Sequence, residues 1–339
     1  MKANAVICEL NPLHDGHKYI ISRAGESADV LILVMSGSFT ERAVPAVYDK
    51  YARAEAAVHA GADLVVELPY PWCSAGVEGF ARGGVKVAAS LGADRLVFGS
   101  ETGDFSLIEK AARIKSSEEY RRAALQAERC DRRTGSAEVF DEVMRQAGVL
   151  SPLCANDKLG AEYVRFGREA GINDFSIVKR IDTKSASEIR RTMPEAAATE
   201  ERFDGLVFDY CRCGRTGDNP LVRYAVRVAH ECVSAAEFIS NLPTKKYTLA
   251  RLRREILADM LDSVANPVDA PTFTVLLAAN GRGREYLSAV RKDAAIELIT
   301  KPADAKSGQF SVLSRADELF CLCAGLRGGE MLRKKPYII

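Results

Sequence analysis

The sequence has almost no net charge, no long apolar run and few histidines. Lysine and arginine total 47 and aspartate and glutamate total 46, so the formal net charge is +1. This balance excludes a general electrostatic attraction to nucleic acid, and any RNA contact must come from a local basic patch. No apolar run reaches the roughly eighteen residues of a membrane span, so we expect a soluble protein with no membrane partner.

The cysteines form neither a disulfide framework nor a usual metal-binding pattern. Nine of them are scattered along the chain, the number is odd, and no secretory signal precedes them. We therefore expect a reducing, cytoplasmic location. One residue separates Cys211 from Cys213, and likewise Cys321 from Cys323. Because zinc ligands usually have roughly two to four residues between them, we expect no zinc at either pair.

Apolar runs alternate with helical stretches through the first half of the 339 residues. The runs are rich in valine, isoleucine and leucine, as in parallel strands buried on both faces. They span Ala3–Cys8, Val30–Met35, Leu64–Leu68, Arg95–Phe98 and Phe175–Val178. Helices are expected between them at Lys18–Ser27, Asp49–Ala60 and Ala75–Ser90. This alternation predicts an α/β fold with a doubly wound, Rossmann-like parallel sheet.

A second, smaller unit is expected after Pro194, because the chain is long enough for one large domain and a smaller one. We place the first domain at residues 1–195 and a C-terminal helical and small α/β domain at residues 196–339. In the first, the charged stretch Ser106–Leu150 predicts one or two amphipathic helices outside the sheet. In the second, the expected elements are helices over Leu206–Asn241, a basic helix Thr248–Leu261, strands Thr274–Leu277 and Ile296–Ile299, and a helix Gly283–Lys292.

The most informative stretch is the junction at which the first strand meets the first helix. The segment Glu9–His17 follows the apolar run and carries two of the four histidines, His14 and His17, with Gly16 between them. Such a junction presents free N–H groups and the positive end of a helix dipole, which bind anions. Gly16 lets a phosphate approach the backbone. Two imidazoles beside an α-phosphorus would suit adenylyl transfer, which depends on positioning and charge stabilisation.

Other interpretations of the histidine pair stay open on the pattern alone. The imidazoles can cap the helix, or ligate zinc together with Cys8 or Glu9. A purely structural role does not explain why polar motifs follow four of the predicted strands. These motifs are Asn11–His17, Ser36–Gly37, Gly99–Ser100 and Lys179–Arg180. The carboxyl ends of parallel strands share one edge, where such folds bind their ligands.

Further phosphate-binding candidates follow the fifth strand. Ser185, Ser187 and Arg190 start a helix there, and serine hydroxyls with an arginine can hold the β- and γ-phosphates of a nucleotide. An ordinary N-cap with a solvated arginine is the alternative. Arg180 lies at the strand tip, where a surface ion pair is the alternative to a phosphate contact. Asn156 can equally be a plain helix cap, and Gly99 can be a turn at a strand end.

Basic residues indicate two further places for phosphate or RNA contact. Lys50 and Arg53 fall on one face of a helix, where they either bind a ligand or lie in solvent. The best local RNA candidate is the run Lys245, Lys246, Arg251, Arg253 and Arg254, with Tyr247 among them. Cations hold phosphates and an aromatic ring stacks on an unpaired base. An exposed charged helix without a ligand would show the same pattern.

The segment Asn11-Pro-Leu-His14-Asp-Gly-His17 resembles the H-x-G-H signature of the nucleotidyltransferase superfamily, which includes class I aminoacyl-tRNA synthetases. A longer set of segments, covering nearly the whole chain, is similar to the bacterial tRNA(Met) cytidine acetate ligase family. These segments are Cys8-Glu-Leu-Asn-Pro12, Val34-Met-Ser-Gly-Ser-Phe39, Asp49-Lys50, Glu67-Leu-Pro-Tyr70, Phe98-Gly-Ser-Glu101, Ala155-Asn-Asp-Lys-Leu-Gly160, Lys245-Lys-Tyr-Thr-Leu-Ala-Arg-Leu-Arg253, Ala279-Asn-Gly-Arg-Gly-Arg-Glu285 and Ile299-Thr-Lys-Pro-Ala303.

The resemblance implies an ATP-dependent, adenylate-forming ligase. In that family acetate attacks the α-phosphate of ATP, with Mg²⁺ expected on the triphosphate, and the wobble cytidine of elongator tRNA(Met) takes up the acetyl group at N4. The implied partners are ATP, acetate and elongator tRNA(Met), and no protein partner is inferred. Residues 1–195 would then be the nucleotidyltransferase-like, ATP-binding catalytic domain, and residues 196–339 the candidate tRNA-binding region.

The same resemblance assigns roles to individual residues. His14 and His17 would stabilise charge on the α-phosphate, and Ser185, Ser187 and Arg190 would hold the leaving pyrophosphate. ATP contacts are implied for the junction and for three residues elsewhere: Ile7, Cys8, Glu9, Leu10, Asn11, Pro12, Leu13, His14, Asp15, Gly16, His17, Lys18, Tyr19, Ile20, Gly99, Asn156 and Arg180.

The sequence departs from the family pattern in two places. Ala155 and Lys158 replace a proline and an isoleucine, and the segment 181–184 is shorter than usual and lacks a tyrosine–histidine pair. Three alternatives therefore stay open. They are a small-molecule nucleotidyltransferase that releases pyrophosphate, a non-catalytic RNA-binding protein with a residual nucleotide pocket, and a zinc hydrolase.

Overall fold

The structure is a computed structural model that describes residues 1–129, 136–148, 153–214, 218–291 and 294–339, except for the side chains of 127–129 and 136–139. Within these residues eight strands form one sheet. The strands are β1 (Ala3–Cys8), β2 (Val30–Ser36), β3 (Leu64–Leu68), β4 (Arg95–Ser100), β5 (Asp174–Lys179), β6 (Phe273–Ala279), β7 (Glu297–Ile299) and β8 (Tyr337–Ile338).

The five N-terminal strands are parallel, as the sequence predicts. The order across the sheet is β5-β4-β1-β2-β3-β6-β7, and β8 also pairs with β6. Every residue of β2 and β3 is buried, which explains their unbroken apolar runs. The chain builds outward from β1 to β3 and then returns to place β4 on the other side of β1. Ligands of such sheets bind in the crevice at this switch of strand order, beyond the carboxyl ends of the strands.

Side chains cap two of the first three helices, and the third begins without a side-chain cap. These helices are α1 (Asp15–Gly25), α2 (Lys50–His59) and α3 (Gly76–Ser90). Helix α1 starts earlier than the predicted Lys18, because His14 has extended backbone and its Nδ1 accepts a hydrogen bond from the amide of Gly16. Helix α2 starts after Asp49, whose carboxylate accepts from the amides of Tyr51 and Ala52.

The charged stretch after β4 contains more helices than predicted. Where the structure describes this stretch, three helices replace the expected one or two: α4 (Phe105–Lys115), α5 (Glu118–Arg129) and α6 (Ser136–Gln146). Asp104 caps the first of them, and the chain turns at Ser116 and Ser117 before the second, so the helical pattern restarts there. Leu150, the predicted end of the stretch, lies outside the described residues. Helix α7 (Ala155–Glu169) then leads into β5.

The C-terminal part begins with helices and ends by completing the sheet. Its helices are α8 (Ala186–Arg190), α9 (Pro194–Arg212), α10 (Pro220–Glu231), α11 (Ala235–Asn241), α12 (Leu249–Met260), α13 (Gly281–Val290), α14 (Phe310–Ala324) and α15 (Glu330–Arg333). The predicted strand–helix–strand unit is confirmed as β6, α13 and β7, although Lys292 lies outside the described residues. Strand β6 pairs antiparallel with β3, so one sheet spans both predicted domains. The division at residue 195 stays a prediction. Among the described helices, none is long and apolar enough to cross a membrane.

Candidate functional site

The two histidines of the junction lie face to face. Their ring centroids are 3.8 Å apart and the rings are inclined by 26°. The carbonyl of His14 accepts from the amides of His17 and Lys18, so the first turn of α1 holds the pair in place. The Nδ1 of His14 accepts from the amide of Gly16 at 3.1 Å. His14 is therefore a helix cap, as the structural interpretation predicted, but its ring also lines a cavity.

Both imidazoles are held in the neutral form. Burial lowers the pKa of His14, and the nearby guanidinium of Arg180 lowers it further. Burial and the neighbouring His14 lower the pKa of His17 to about 3. Because Nδ1 of neutral His14 accepts a hydrogen bond, its proton is on Nε2, which is free to donate to a ligand. A hydrogen bond from the His17 ring to the backbone of Pro12 opposes the lowering of the pKa of His17.

The cavity has a volume of about 460 Å³ and lies beyond the carboxyl ends of β1, β4 and β5. It brings together predicted site residues from four separate parts of the chain. Those that line it are Ile7, Cys8, Glu9, Asn11, His14, Gly16, His17, Tyr19, Ile20, Gly99, Asn156, Arg180, Ser185, Ser187 and Arg190. The motifs that follow the strands therefore meet at one edge of the sheet, as the sequence predicts.

Five residues of the predicted ATP-contacting segment do not line the cavity. Leu10 is buried in the core, and Leu13 packs against the core from outside. Pro12 follows Asn11 in the turn. Asp15 and Lys18 pair with each other at 3.0 Å on the exposed side of α1. In this structure these five positions shape the turn and the helix rather than the cavity wall.

Two glycines keep the cavity open. A Cβ on Gly16 would lie 2.9 Å from Cε1 of His14 and 3.2 Å from Oγ1 of Thr183, so any side chain there would move the imidazole. Above Gly99 there is open space, with no heavy atom within 4 Å of an added Cβ. Gly16 therefore sets the position of a ring, and Gly99 leaves the floor between β4 and β5 accessible to a ligand.

Asn156 and Arg180 do not have the structural roles offered as alternatives. Cys154, not Asn156, is the N-cap of α7. Asn156 lies in the first turn of that helix and lines the cavity. Arg180 forms no ion pair with any acidic side chain that the structure describes. Asn156 and Arg180 thus both contribute polar groups to the cavity wall.

The segment after β5 is both capped and connected to the junction. Ser185 and Glu188 form a capping box in which the Glu188 carboxylate also accepts from the Ser185 hydroxyl at 2.6 Å. The guanidinium of Arg190 donates to the carbonyl of Asn11 at 2.5 Å and to the hydroxyl of Ser187 at 3.1 Å. The N-cap alternative is confirmed for Ser185, whereas the solvated arginine is wrong because Arg190 bridges two segments of the cavity wall.

Neither predicted role of Lys50 and Arg53 is right. Both side chains are 2% exposed, so they lie neither in solvent nor at a phosphate or RNA surface. Lys50 pairs with Glu67 and Asp317. The guanidinium of Arg53 donates to the carbonyls of Glu9, Ser36 and Gly37, and it thereby holds the end of β1 against the end of β2.

The basic run is divided between the interior and the surface. Arg253 is buried and pairs with Glu200 and Asp204. Arg254 donates to the carbonyls of Ser74 and Glu41. For these two arginines the RNA hypothesis is wrong, because their charges are used inside the fold.

The other members of the run stay on or near the surface. Lys245 and Arg251 are exposed. The ring of Tyr247 has the Lys246 ammonium 5.5 Å and the Arg251 guanidinium 5.3 Å from its centroid. For these residues an RNA contact stays a prediction.

One group of side chains within the described residues is close enough to hold a metal. Ligand atoms of Glu101, Cys154 and Asp157 lie within 4.8 Å of one another beside the cavity. The Asp157 oxygens already accept from the hydroxyl of Ser100 and the amide of Thr102. The carboxylate is thus part of the turn after β4 rather than a free ligand.

Sequence reasoning missed several residues of the cavity wall. Thr40, Glu41 and Arg42, from the loop after β2, line it, and the amide of Glu41 donates to the carboxylate of Glu9 at 2.7 Å. No local signal predicts this long-range contact. Tyr163 lines the cavity as well. It lies seven residues after Asn156 in the same helix, and residues two turns apart share a face, so helical periodicity could have identified it.

A family model described as HIGH nucleotidyl transferase matches residues 1–204 and 221–329 of the chain. The chain belongs to this family. In this HIGH nucleotidyl transferase the tetrapeptide His14-Asp-Gly-His17 lies where β1 leads into α1, and both of its imidazoles line the cavity. The predicted superfamily is therefore confirmed.

Individual relatives are similar along their whole length. The tRNA(Met) cytidine acetate ligase of Pediococcus pentosaceus is 29% identical over 367 aligned residues, which cover 97% of each chain. The tRNA(Met) cytidine acetate ligase of Limosilactobacillus reuteri is also 29% identical, and the alignment covers 100% of both chains. The resemblance to this group of HIGH nucleotidyl transferases, predicted from separate motifs, is confirmed over the full chain.

Two solved structures have the same fold. A crystal structure of Thermotoga maritima TmcAL bound with alpha-thio ATP matches with a TM-score of 0.86 at 24% identity, covering 100% of this chain and 99% of that chain. A crystal structure of the apo protein has a TM-score of 0.86 at 23% identity, with 100% of both chains covered. At these identities the match confirms the α/β fold of this HIGH nucleotidyl transferase.

Proposed function

We propose that this chain activates acetate with ATP and transfers the acetyl group to N4 of the wobble cytidine of elongator tRNA(Met). The observation that carries the proposal is one cavity, at the switch of strand order, lined by two neutral imidazoles together with Asn156, Arg180 and Arg190. The names of the relatives support the tRNA and acetate, and the nucleotide bound by the Thermotoga maritima protein supports ATP.

In the first step an oxygen of acetate attacks the α-phosphorus of ATP. A new O–P bond forms, the bond from that phosphorus to the oxygen bridging to the β-phosphate breaks, and pyrophosphate leaves with the electron pair. Nε2–H of His14 donates to the α-phosphate oxygens, on which charge accumulates in the transition state. The ring N–H of His17 donates to the same oxygens after it turns away from the Pro12 carbonyl. Neutral rings suit this role, because donation requires an N–H group and not a full charge.

The leaving pyrophosphate is held by the segment after β5. Arg190 is fixed from two sides, by the Asn11 carbonyl and the Ser187 hydroxyl, so its charge is oriented before ATP binds. The hydroxyl of Ser185 donates to Glu188, so it binds a phosphate oxygen only after turning away from that carboxylate. Mg²⁺ enters as part of the substrate, Mg–ATP, bound through the phosphates.

In the second step the cytidine N4 attacks the acyl carbon of acetyl-adenylate. A C–N bond forms, the C–O bond to the adenylate breaks, AMP leaves with the electron pair, and the nitrogen loses one proton to water. We assign ATP activation to residues 1–195 and tRNA binding to residues 196–339, in a cytoplasmic protein. Exposed Lys245 and Arg251, on either side of Tyr247, support the second assignment.

The test is incubation of the purified chain with Mg–ATP, labelled acetate and bulk bacterial tRNA, followed by nucleoside analysis. We expect labelled N4-acetylcytidine in elongator tRNA(Met), and pyrophosphate release that depends on acetate. If a folded protein yields no acetylated cytidine but makes a dinucleotide from ATP and a phosphorylated metabolite, the small-molecule nucleotidyltransferase is correct instead.

A further inference from the structure

A buried hydroxyl group without a partner lies on the wall of the cavity. Tyr163, in the third turn of α7, is 3% exposed, and its phenolic oxygen has no hydrogen-bond partner among the described residues. Its ring packs against Phe98 of β4 with centroids 5.6 Å apart. A buried tyrosine hydroxyl usually has a partner, because burying an unpaired polar group is unfavourable. A ligand that occupies the cavity can supply that partner.

The groups near this hydroxyl decide which ligand atom it can meet. Its acidic neighbours are Cys8 and Glu9, at the end of β1, and Glu41. Burial raises the pKa of the Cys8 thiol to about 12, so the thiol is protonated and uncharged. Burial raises the pKa of Glu9, while Arg53 and Arg190 offset its charge. The carboxylate of Glu41 lies 3.5 Å from the guanidinium of Arg254. Burial raises the pKa of Tyr163 well above its usual value, so the phenol keeps its proton and acts as a hydrogen-bond donor.

Apolar side chains complete the same region. Val77 and Phe80, from the first turns of α3, line the cavity, and so do Phe98 and Leu159. Phe80 is 3% exposed, so the wall it forms is shielded from water. Val77 is 41% exposed, so this region opens to solvent on that side. One hydrogen-bond donor and walls of hydrocarbon fit a small carboxylic acid.

We propose that the region bounded by Cys8, Val77, Phe80, Phe98 and Tyr163, here named the Tyr163 pocket, binds the acyl group of the carboxylate substrate. The methyl group packs on Phe80 and Val77, and the hydroxyl of Tyr163 donates to the carboxylate oxygen that does not attack phosphorus. Cys8 and Tyr163 line the same cavity as His14 and His17, so the acid would lie in the same cavity as the phosphate held by the histidines. This inference rests on the proposed function and adds the residue that recognises the acid.

Tyr163→Phe tests the proposal, because it removes one oxygen and leaves the packing of the ring. The assay is acetate-dependent exchange of labelled pyrophosphate into ATP, which needs no tRNA. We expect the KM for acetate to rise about ten- to a hundredfold, as for loss of a hydrogen bond to a charged group, with the KM for ATP unchanged. Thermal unfolding should show an unchanged or slightly higher Tm, since the hydroxyl has no partner in the protein.

Tyr286→Phe is the matched control. The hydroxyl of Tyr286 donates to the carbonyls of Leu91 and Gly92 at 2.7 and 3.0 Å, away from the cavity. This variant should lower the Tm and leave the KM for acetate unchanged, which is the opposite of the result expected for Tyr163→Phe.

The outcomes separate this proposal from the proposed function. If the wild type exchanges pyrophosphate with acetate, an unchanged KM for acetate in Tyr163→Phe overturns the Tyr163 pocket alone, and so does a rise confined to the KM for ATP. If the folded wild type shows no acetate-dependent exchange, the proposed function fails, and the pocket assignment fails with it.

Discussion

The ammonium group of Lys50 lies 2.7 Å from a carboxylate oxygen of Asp317, although 267 positions separate the two residues. The same ammonium is 2.8 Å from Glu67, and none of the three side chains is more than 2% exposed. Asp317 also accepts from the hydroxyl of Ser38 at 2.6 Å. This buried triad connects α14 to α2 and β3, and thus the end of the chain to the loop that follows β2.

Replacing Lys50 by Met should destabilise the protein severely. The substitution leaves the carboxyl groups of Glu67 and Asp317 buried without their counter-charge, and breaking a buried ion pair costs about 3–5 kcal/mol. The measurement is the free energy of unfolding from urea denaturation at pH 7.5. A loss below about 1 kcal/mol would contradict the triad.

A triple variant separates charge from packing in the same place. Lys50→Met combined with Glu67→Gln and Asp317→Asn removes every charge of the triad at nearly constant volume. Neutral replacements of buried ion pairs are often close to neutral in stability, so the triple variant should be more stable than Lys50→Met alone. An equal loss in both variants would show that the destabilisation comes from packing.

The sheet could be predicted from the sequence because strands that are buried on both faces consist mostly of consecutive apolar residues. The runs of valine, isoleucine and leucine in β2 and β3 are such strands. The cavity could be predicted for a related reason, since the carboxyl ends of parallel strands must meet at one edge. The pattern allows a cap at His14, although it predicts a helix start at Lys18, three residues after the actual start at Asp15.

Partners distant in sequence could not be predicted. The lysine of the triad and Arg253 of α12 look like solvated helix residues, because nothing near them in the chain reveals Asp317 or Asp204. Charge alone does not say whether a side chain meets water, RNA or a carboxylate. Tyr163 differs from these residues, because it lies seven residues after Asn156 in the same helix, and helical periodicity could have placed it at the cavity.

Acid should destabilise the wild type partly through His17. Its folded pKa, about 3, lies below the usual value of 6.5, so the unfolded chain binds the proton more readily. The stability is therefore fully present above pH 6.5 and is lost as pH falls toward 3. Between pH 7.5 and 5 this residue should account for about 2 kcal/mol of the loss. The glutamine in His17→Gln does not titrate. The free energy of unfolding of this variant, measured by urea denaturation at pH 7.5 and pH 5, should therefore fall by about 2 kcal/mol less than that of the wild type.

His17→Ala should keep the fold and lose catalysis. Removing one preorganised donor to a developing negative charge costs about a hundred- to a thousandfold in rate. Acetate-dependent pyrophosphate release measures the effect, with circular dichroism to verify the fold. His230→Ala, at an exposed position in the last turn of α10, serves as the control and should be fully active. Wild-type turnover in His17→Ala would overturn the role given to the pair.

Gly16→Ala tests whether the position of the His14 ring matters, without altering either histidine. The new Cβ would lie 2.9 Å from Cε1 of His14, so the ring must move, and a displacement of about 1 Å in a reacting group can cost about a hundredfold in rate. Gly25→Ala, in the same helix, is the matched control. Its Cβ would meet only Cδ2 of Leu31, at 4.0 Å, so packing is undisturbed and helix propensity improves. We expect a large loss of pyrophosphate release in the first variant and none in the second, with little change in the Tm of either. Equal activity of the two variants would mean that the ring of His14 has no fixed place in the reaction.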